Sequence, residues 1–137
     1  MADSVAAVRR EVRSRARDRC EYCGLPAAFA PFPHEVDHIT ALKHLGASSL
    51  DNLAWCCFAC NRHKGSDLTG VDPLTGEIHR LFHPRLQAWD DHFKFVDGGR
   101  IDSLTGVGRS TARLLQFNAL ARVRLRLEMI RGGMSEI

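Results

Sequence analysis

No apolar run in this 137-residue chain approaches the ~20 residues of a membrane-spanning helix, so a helical membrane protein is excluded. The opening residues, MADSVAAVRREVR, contain no apolar core followed by a cleavage site. No secretory signal is therefore expected, and a cytoplasmic location is. Internal repeats are absent, and the length suits one domain rather than two. A large excess of one charge is also missing: 19 Lys and Arg stand against 16 Asp and Glu, a net +3, too little by itself to argue for nucleic-acid binding. Composition is that of a globular chain, with 45% hydrophobic and 26% charged residues.

The charge that is present is unevenly spread. Residues 1–19 carry six Arg and three acids, residues 20–112 eight basic and eleven acidic residues, and residues 113–137 five Arg and two acids, giving +3, −3 and +3. Sixteen of the 19 basic residues are Arg, which suits bidentate phosphate contacts. Two solvated helix faces in a chain from a G- and C-rich genome account for the same pattern.

Cysteine spacing is more specific. Cys20-Glu-Tyr-Cys23 and Cys57-Phe-Ala-Cys60 are two C-x-x-C pairs with 33 residues between them. Each pair delivers two thiolates from one tight turn, and Gly24 suits the turn after the first. Together the four predict a tetrahedral structural zinc site. A disulfide scaffold does not fit five cysteines without a secretion signal. Cys56 is expected to be a buried spare.

Pro- and Gly-free residues 4–18 read as a helix that Ser4 can cap, with Val5, Val8 and Val12 at helical spacing. Residues 34–40 (HEVDHIT) read as a strand. A helix follows the second knuckle from about Phe58 to Lys64 and ends at Gly65. Residues 66–80 are turn-rich, 86–103 read as a strand pair around Gly98-Gly99, and 107–117 and 119–131 read as helices joined at Asn118. In the last helix Leu120, Val123, Leu127 and Ile130 form the expected buried stripe, with Arg122, Arg124, Arg126 and Arg131 elsewhere.

The segment between and around the knuckles carries what phosphodiester hydrolysis needs. A neutral His activates water near pH 7, and His38 is available. A hard divalent cation takes oxygen ligands, and Asp37 and the amide oxygen of Asn61 supply them. Adjacent strand residues face opposite ways, so Asp37 and His38 share one site only with a bulge or twist. Asn52 is a candidate to hold the His38 ring through a backbone contact.

C-x-x-C, then V-D-H-I, then D-N-L, then C-x-x-C-N-x-x-K-G resembles the HNH endonuclease family with paired zinc knuckles, over Cys20 to Gly65. The resemblance implies an α+β fold, with a ββα-metal (treble-clef-like) core at 20–65 and structural zinc. A basic N-terminal helix (1–19) and a C-terminal extension (66–137) of a hairpin and two helices are added to it. It implies His38 as general base, Asn52 as the orienting residue, and Asp37 and Asn61 as ligands of a catalytic divalent ion. Many members carry His at the position of Asn61, and His63 stands two residues on as a further ligand candidate. Segments 81–93 and 104–111 resemble the C-terminal extension of small stand-alone bacterial members.

Two other motifs compete. His34-Glu35-Val36-Asp37-His38 matches H-E-x-x-H, but that zinc-protease motif works on a helix, and Pro31, Pro33 and the β-branched residues favour a strand. Leu104 to Ala112 resembles the hairpin of a helix-hairpin-helix motif, yet Gly98-Gly99 breaks any helix before it. His83 and His92 are expected to be structural.

The expected function is metal-dependent hydrolysis of DNA, with structural Zn²⁺ and catalytic Mg²⁺ or Mn²⁺ (Ni²⁺ or Zn²⁺ if a His ligand joins). Arg62 and Lys64 are expected at neighbouring phosphates, and the partner is DNA rather than a membrane or a small-molecule substrate. The alternative is an inactive, zinc-braced DNA- or protein-binding module on the same fold, which would need neither Asp37 nor His38.

Overall fold

A computed structural model describes residues 5–133, which part into two compact units between Ser66 and Asp67. Ser4 lies outside the described residues.

The first unit opens with α1 (Val5–Arg15). The helix stops through paired bonds from the Asp18 amide to the Arg13 carbonyl (3.0 Å) and from the Arg17 amide to the Ser14 carbonyl (3.0 Å). This closing geometry puts Arg17 and Asp18 at φ 55° and 56°, left-handed values more often given to glycine. After the first knuckle and a proline-bearing loop come β1 (Glu35–His38), a loop, β2 (Leu53–Cys56) and α2 (Phe58–Lys64). β1 and β2 pair antiparallel with Val36 opposite Trp55 and His38 opposite Leu53. Pleat alternation then sends Val36 toward the cluster of Val12, Leu53 and Trp55, and Glu35 and Asp37 to the other face. The strand assignment over 35–38 removes the helical spacing that H-E-x-x-H requires.

Arginines of α1 and its end are fastened internally. Arg9 donates to the His34 carbonyl (3.2 Å) and lies 4.9 Å from the centre of the Trp55 ring. Arg15 donates to the carbonyls of Leu50 and Leu53, and Arg19 to that of Gly24. These guanidiniums tie the helix to the hairpin by satisfying backbone groups that the loops leave unpaired.

The second unit contains hairpin β3 (Thr69–Val71) with β4 (Ile78–Arg80), hairpin β5 (Phe93–Val96) with β6 (Arg100–Ser103), α3 (Gly106–Leu114) and α4 (Leu120–Arg131). The strand pair around Gly98-Gly99 and both helices follow the sequence reading. The β3–β4 hairpin was not anticipated, because its three-residue strands are outweighed by the turn residues between them. Thr105 caps α3 by accepting the Gly108 amide (3.0 Å), and the element before it is β6, so no helix-hairpin-helix forms. Asn118 pairs with both backbone groups of Ile101 (2.9 and 2.8 Å). Asp72 is fully buried and takes a two-pronged bond from Arg109 (both 2.9 Å), which holds its carboxyl below the usual carboxylate range. His83 accepts the Arg85 and Leu86 amides and His92 bonds the Thr105 hydroxyl, so both are structural here.

The expected stripe of α4 is corrected. Leu120 and Ile130 are exposed (64% and 42%), whereas Arg126 is buried with Met129. Arg126 donates to the carbonyls of Gly99 (2.9 Å) and Phe117 (2.5 Å). Two otherwise unpaired carbonyls reward burying a guanidinium there, and the helix turns accordingly. Among the described residues, no helix is long and apolar enough to cross a membrane.

Candidate metal centre and active site

The two knuckles converge. The sulfurs of Cys20, Cys23, Cys57 and Cys60 all lie within 4.8 Å of one another, and all four residues are buried and free of disulfides. Cys23 Sγ and Cys57 Sγ are 3.7 Å apart. A tetrahedron of thiolates at the usual zinc–sulfur distance has edges of about 3.8 Å. Each knuckle also turns a backbone amide onto its first sulfur, Cys23 N to Cys20 Sγ and Cys60 N to Cys57 Sγ, both 3.4 Å. Gly24 at φ 81° closes the first turn. Burial pushes the Cys20 and Cys60 thiols well above their ordinary range, and hydrogen bonding from Cys20 and Cys23 does so for Cys57. Such a nest stabilises four thiolates only around a cation. The donor set therefore fits zinc, and these residues would hold it. Cys56 is buried beside the quartet but is not part of it.

Among the described residues, this quartet is the one group of three or more His, Cys, Asp or Glu side chains with converging donor atoms. Asp37 does not gather with His63 and a third such group. Instead its carboxylate accepts the Tyr22 hydroxyl (2.8 Å) and pairs with the Lys64 ammonium (3.2 Å). Lys64 also donates to the His38 carbonyl (3.1 Å). Asp37 is 5% and Lys64 2% exposed. Burial pushes the Asp37 carboxyl up, while Lys64 and Tyr22 draw it down. Lys64, expected at a DNA phosphate, is thus withdrawn from the surface, because the last turn of α2 runs under the strand carrying Asp37. Lys64 joins the Asp37 carboxylate to the His38 carbonyl at the end of β1.

His38 is half-buried, on the strand face opposite Asp37, with Nε2 2.9 Å from the Ser48 hydroxyl. Asn52 does not bond the His38 ring. It fastens the loop that follows: Oδ1 accepts the Thr40 amide (2.9 Å), and Nδ2 donates to the carbonyls of Thr40 (2.9 Å) and Ala47 (2.7 Å). Gly46 lies against this clamp so closely that a Cβ there would come 1.7 Å from the Thr40 oxygen. Asn52 therefore ties the backbone of Thr40, two residues past His38, to the loop that carries Ser48.

Asn61 and Arg62 lie on α2, just past the second knuckle. The Asn61 amide nitrogen donates to the Glu35 carboxylate (2.7 Å), a bond that does not use its amide oxygen. Arg62 is exposed, and its guanidinium sits 5.5 Å from the centre of the Phe58 ring. His63 is half-buried on the same helix. Tyr22, Ser48 and Glu35 were missed by the sequence reading. Tyr22 had one local signal, an aromatic placed inside a C-x-x-C turn. Ser48 and Glu35 had none, since their partners are set by the fold.

Residues 20–67 match the family model of the HNH endonuclease. No curated protein and no solved structure matches the chain.

Proposed function

We propose that this protein is a metal-dependent HNH endonuclease that hydrolyses DNA phosphodiester bonds on a ββα-metal core formed by β1, β2 and α2. The observation that carries this reading is the family match over residues 20–67, which spans both knuckles and every residue assigned a role. His38 takes the proton from the attacking water through a ring nitrogen, and Ser48 and the Asn52-clamped loop fix the ring's place. Hard oxygens on Asp37 and Asn61 suit Mg²⁺ or Mn²⁺, with His63 on the same helix as Asn61 a further ligand candidate. A divalent ion held there supplies charge against the phosphate and the departing oxygen. Lys64 already engages Asp37, so Asp37 would have to serve a divalent ion beside that ammonium, and Tyr22 keeps the carboxylate oriented. Zinc on the four cysteines braces α2 against the hairpin and takes no part in the chemistry. Arg62 contributes at a phosphate.

The alternative, a binding module without catalysis, draws on one observation: Asp37 and Asn61 are each already engaged, by Lys64 and by Glu35. Cleavage of supercoiled plasmid separates the two. Purified protein, treated mildly with EDTA and supplied with Mg²⁺, Mn²⁺ or Ni²⁺, should nick or linearise the plasmid, and His38→Ala should not. A zinc-loaded protein that binds DNA but cuts nothing with any of these ions favours the module.

A further inference from the structure

The loop between the first knuckle and β1 raises aromatic side chains onto the surface of the first unit. Phe32 is 54% exposed and Phe29 45%, whereas Tyr22 and Trp55 of this unit are buried and Phe58 is half-buried. Phe32 stands between Pro31 and Pro33, so its backbone has little freedom to turn the ring inward. Its ring lies 4.7 Å from that of Phe58, the first residue of α2, at a tilt of 41°. Arg62, one turn along α2, sets its guanidinium over the same Phe58 ring and is itself exposed. Two rings and a planar cation thus form one surface patch. The helix beneath is anchored by Cys57 and Cys60, and the loop by its prolines.

We infer that Phe32, Phe58 and Arg62 form a stacking platform for unpaired nucleobases, so that the strand this unit engages is single-stranded or locally opened DNA. The inference rests on the endonuclease reading for the identity of the polymer and adds the state of its bases. Two features select bases over a purely phosphate contact. The patch has one free cation against a neighbouring carboxylate, Glu35, which is bonded to Asn61 beside Arg62. What it offers instead is ring surface, and every base has a face that stacks on an aromatic ring or a guanidinium. Paired bases in a duplex keep those faces against one another, so duplex DNA cannot use the patch. Arg62 supplies the charge complementarity that holds the strand's backbone nearby.

The test compares binding by the zinc-loaded full chain to three labelled oligonucleotides: a short single strand, an abasic strand of the same length, and a hairpin duplex. Cleavage is suppressed by omitting the divalent ion. Phe32→Ala should weaken binding to the base-bearing strand by about five- to a hundredfold, the range of one lost stacking contact. It should leave the abasic strand and the duplex unchanged. Phe32→Trp should keep the affinity, and its added indole emission should be quenched by the base-bearing strand alone. Equal affinity of the unaltered protein for base-bearing and abasic strands would overturn the inference. So would a Phe32→Ala loss shared by all three probes. Plasmid cleavage that depends on His38 leaves the enzyme reading standing if the platform fails. Base-selective binding without any cleavage leaves the platform standing if the enzyme reading fails.

Discussion

Replacing Lys64 by Met is the sharpest test of how the hairpin and α2 are joined. The ammonium is 2% exposed and 3.2 Å from an Asp37 carboxylate that is itself 5% exposed. Met fills a similar volume but removes the charge, and the His38 carbonyl loses its donor as well. What remains is a buried carboxylate with Tyr22 as its one remaining side-chain donor here. Stranding one member of a buried pair costs about 3–5 kcal/mol. The sign with pH follows from Asp37. Burial already raises its carboxyl, and Lys64 is the largest influence drawing it down. Without Lys64 it moves further up. A group whose folded value lies above its unfolded one contributes stability at low pH and loses it as pH rises. The penalty of Lys64→Met should therefore shrink as pH falls. Adding Asp37→Asn should restore much of the stability and remove that pH dependence. Urea unfolding followed by circular dichroism, with zinc held in excess, reads both effects. A loss below about 1 kcal/mol for Lys64→Met at neutral pH would refute the buried pair.

Four further outcomes follow from the same geometry. Chelating zinc, or Cys23→Ser, should red-shift the emission of Trp55 and remove the ellipticity of the first unit, since structural zinc contributes about 10–16 kcal/mol to such folds. Cys56→Ser should leave one zinc per chain by atomic absorption. Asn52→Ala abandons three backbone groups around Thr40 and Ala47. It should cost about 2–4 kcal/mol and speed hydrogen exchange at the Thr40 amide. Asp72, held low by Arg109, contributes stability that is complete above its unfolded value near about 4 and is lost as pH falls through the lower folded one. Wild type should thus lose its thermal advantage over Asp72→Asn on acidification below about pH 4.

What the sequence disclosed was local, and what it withheld depended on partners far along the chain. Cys20, Cys23, Cys57 and Cys60 were legible because each pair is set by one turn. The strand over Glu35–His38 was legible because β-branched residues and two prolines outweighed an accidental H-E-x-x-H. The helices of the second unit were found, but the face of α4 was misjudged. Hydropathy ranks Leu120 above Arg126 and cannot see that Gly99 and Phe117 leave carbonyls needing a donor. Lys64 was read as a surface cation for the same reason: its partner lies 27 residues earlier. Asn52 was singled out for a contact with His38, whereas its grip on Thr40 and Ala47 exists only once the loop has closed.

The apolar cluster of the first unit is small, with Val12, Leu53 and Trp55 at its centre. A core of that size does not outweigh the chain entropy of the segment around it. Zinc on the four cysteines would link the turn that carries Tyr22 to the helix that carries Lys64, and these are the two side chains that seat Asp37. Metal supply would then govern how long a newly made copy survives. A chain that acquires zinc late exposes Trp55 and an unpaired hairpin edge to proteases, whereas a loaded one does not. Abundance of this protein should therefore track zinc availability even where its transcript is constant.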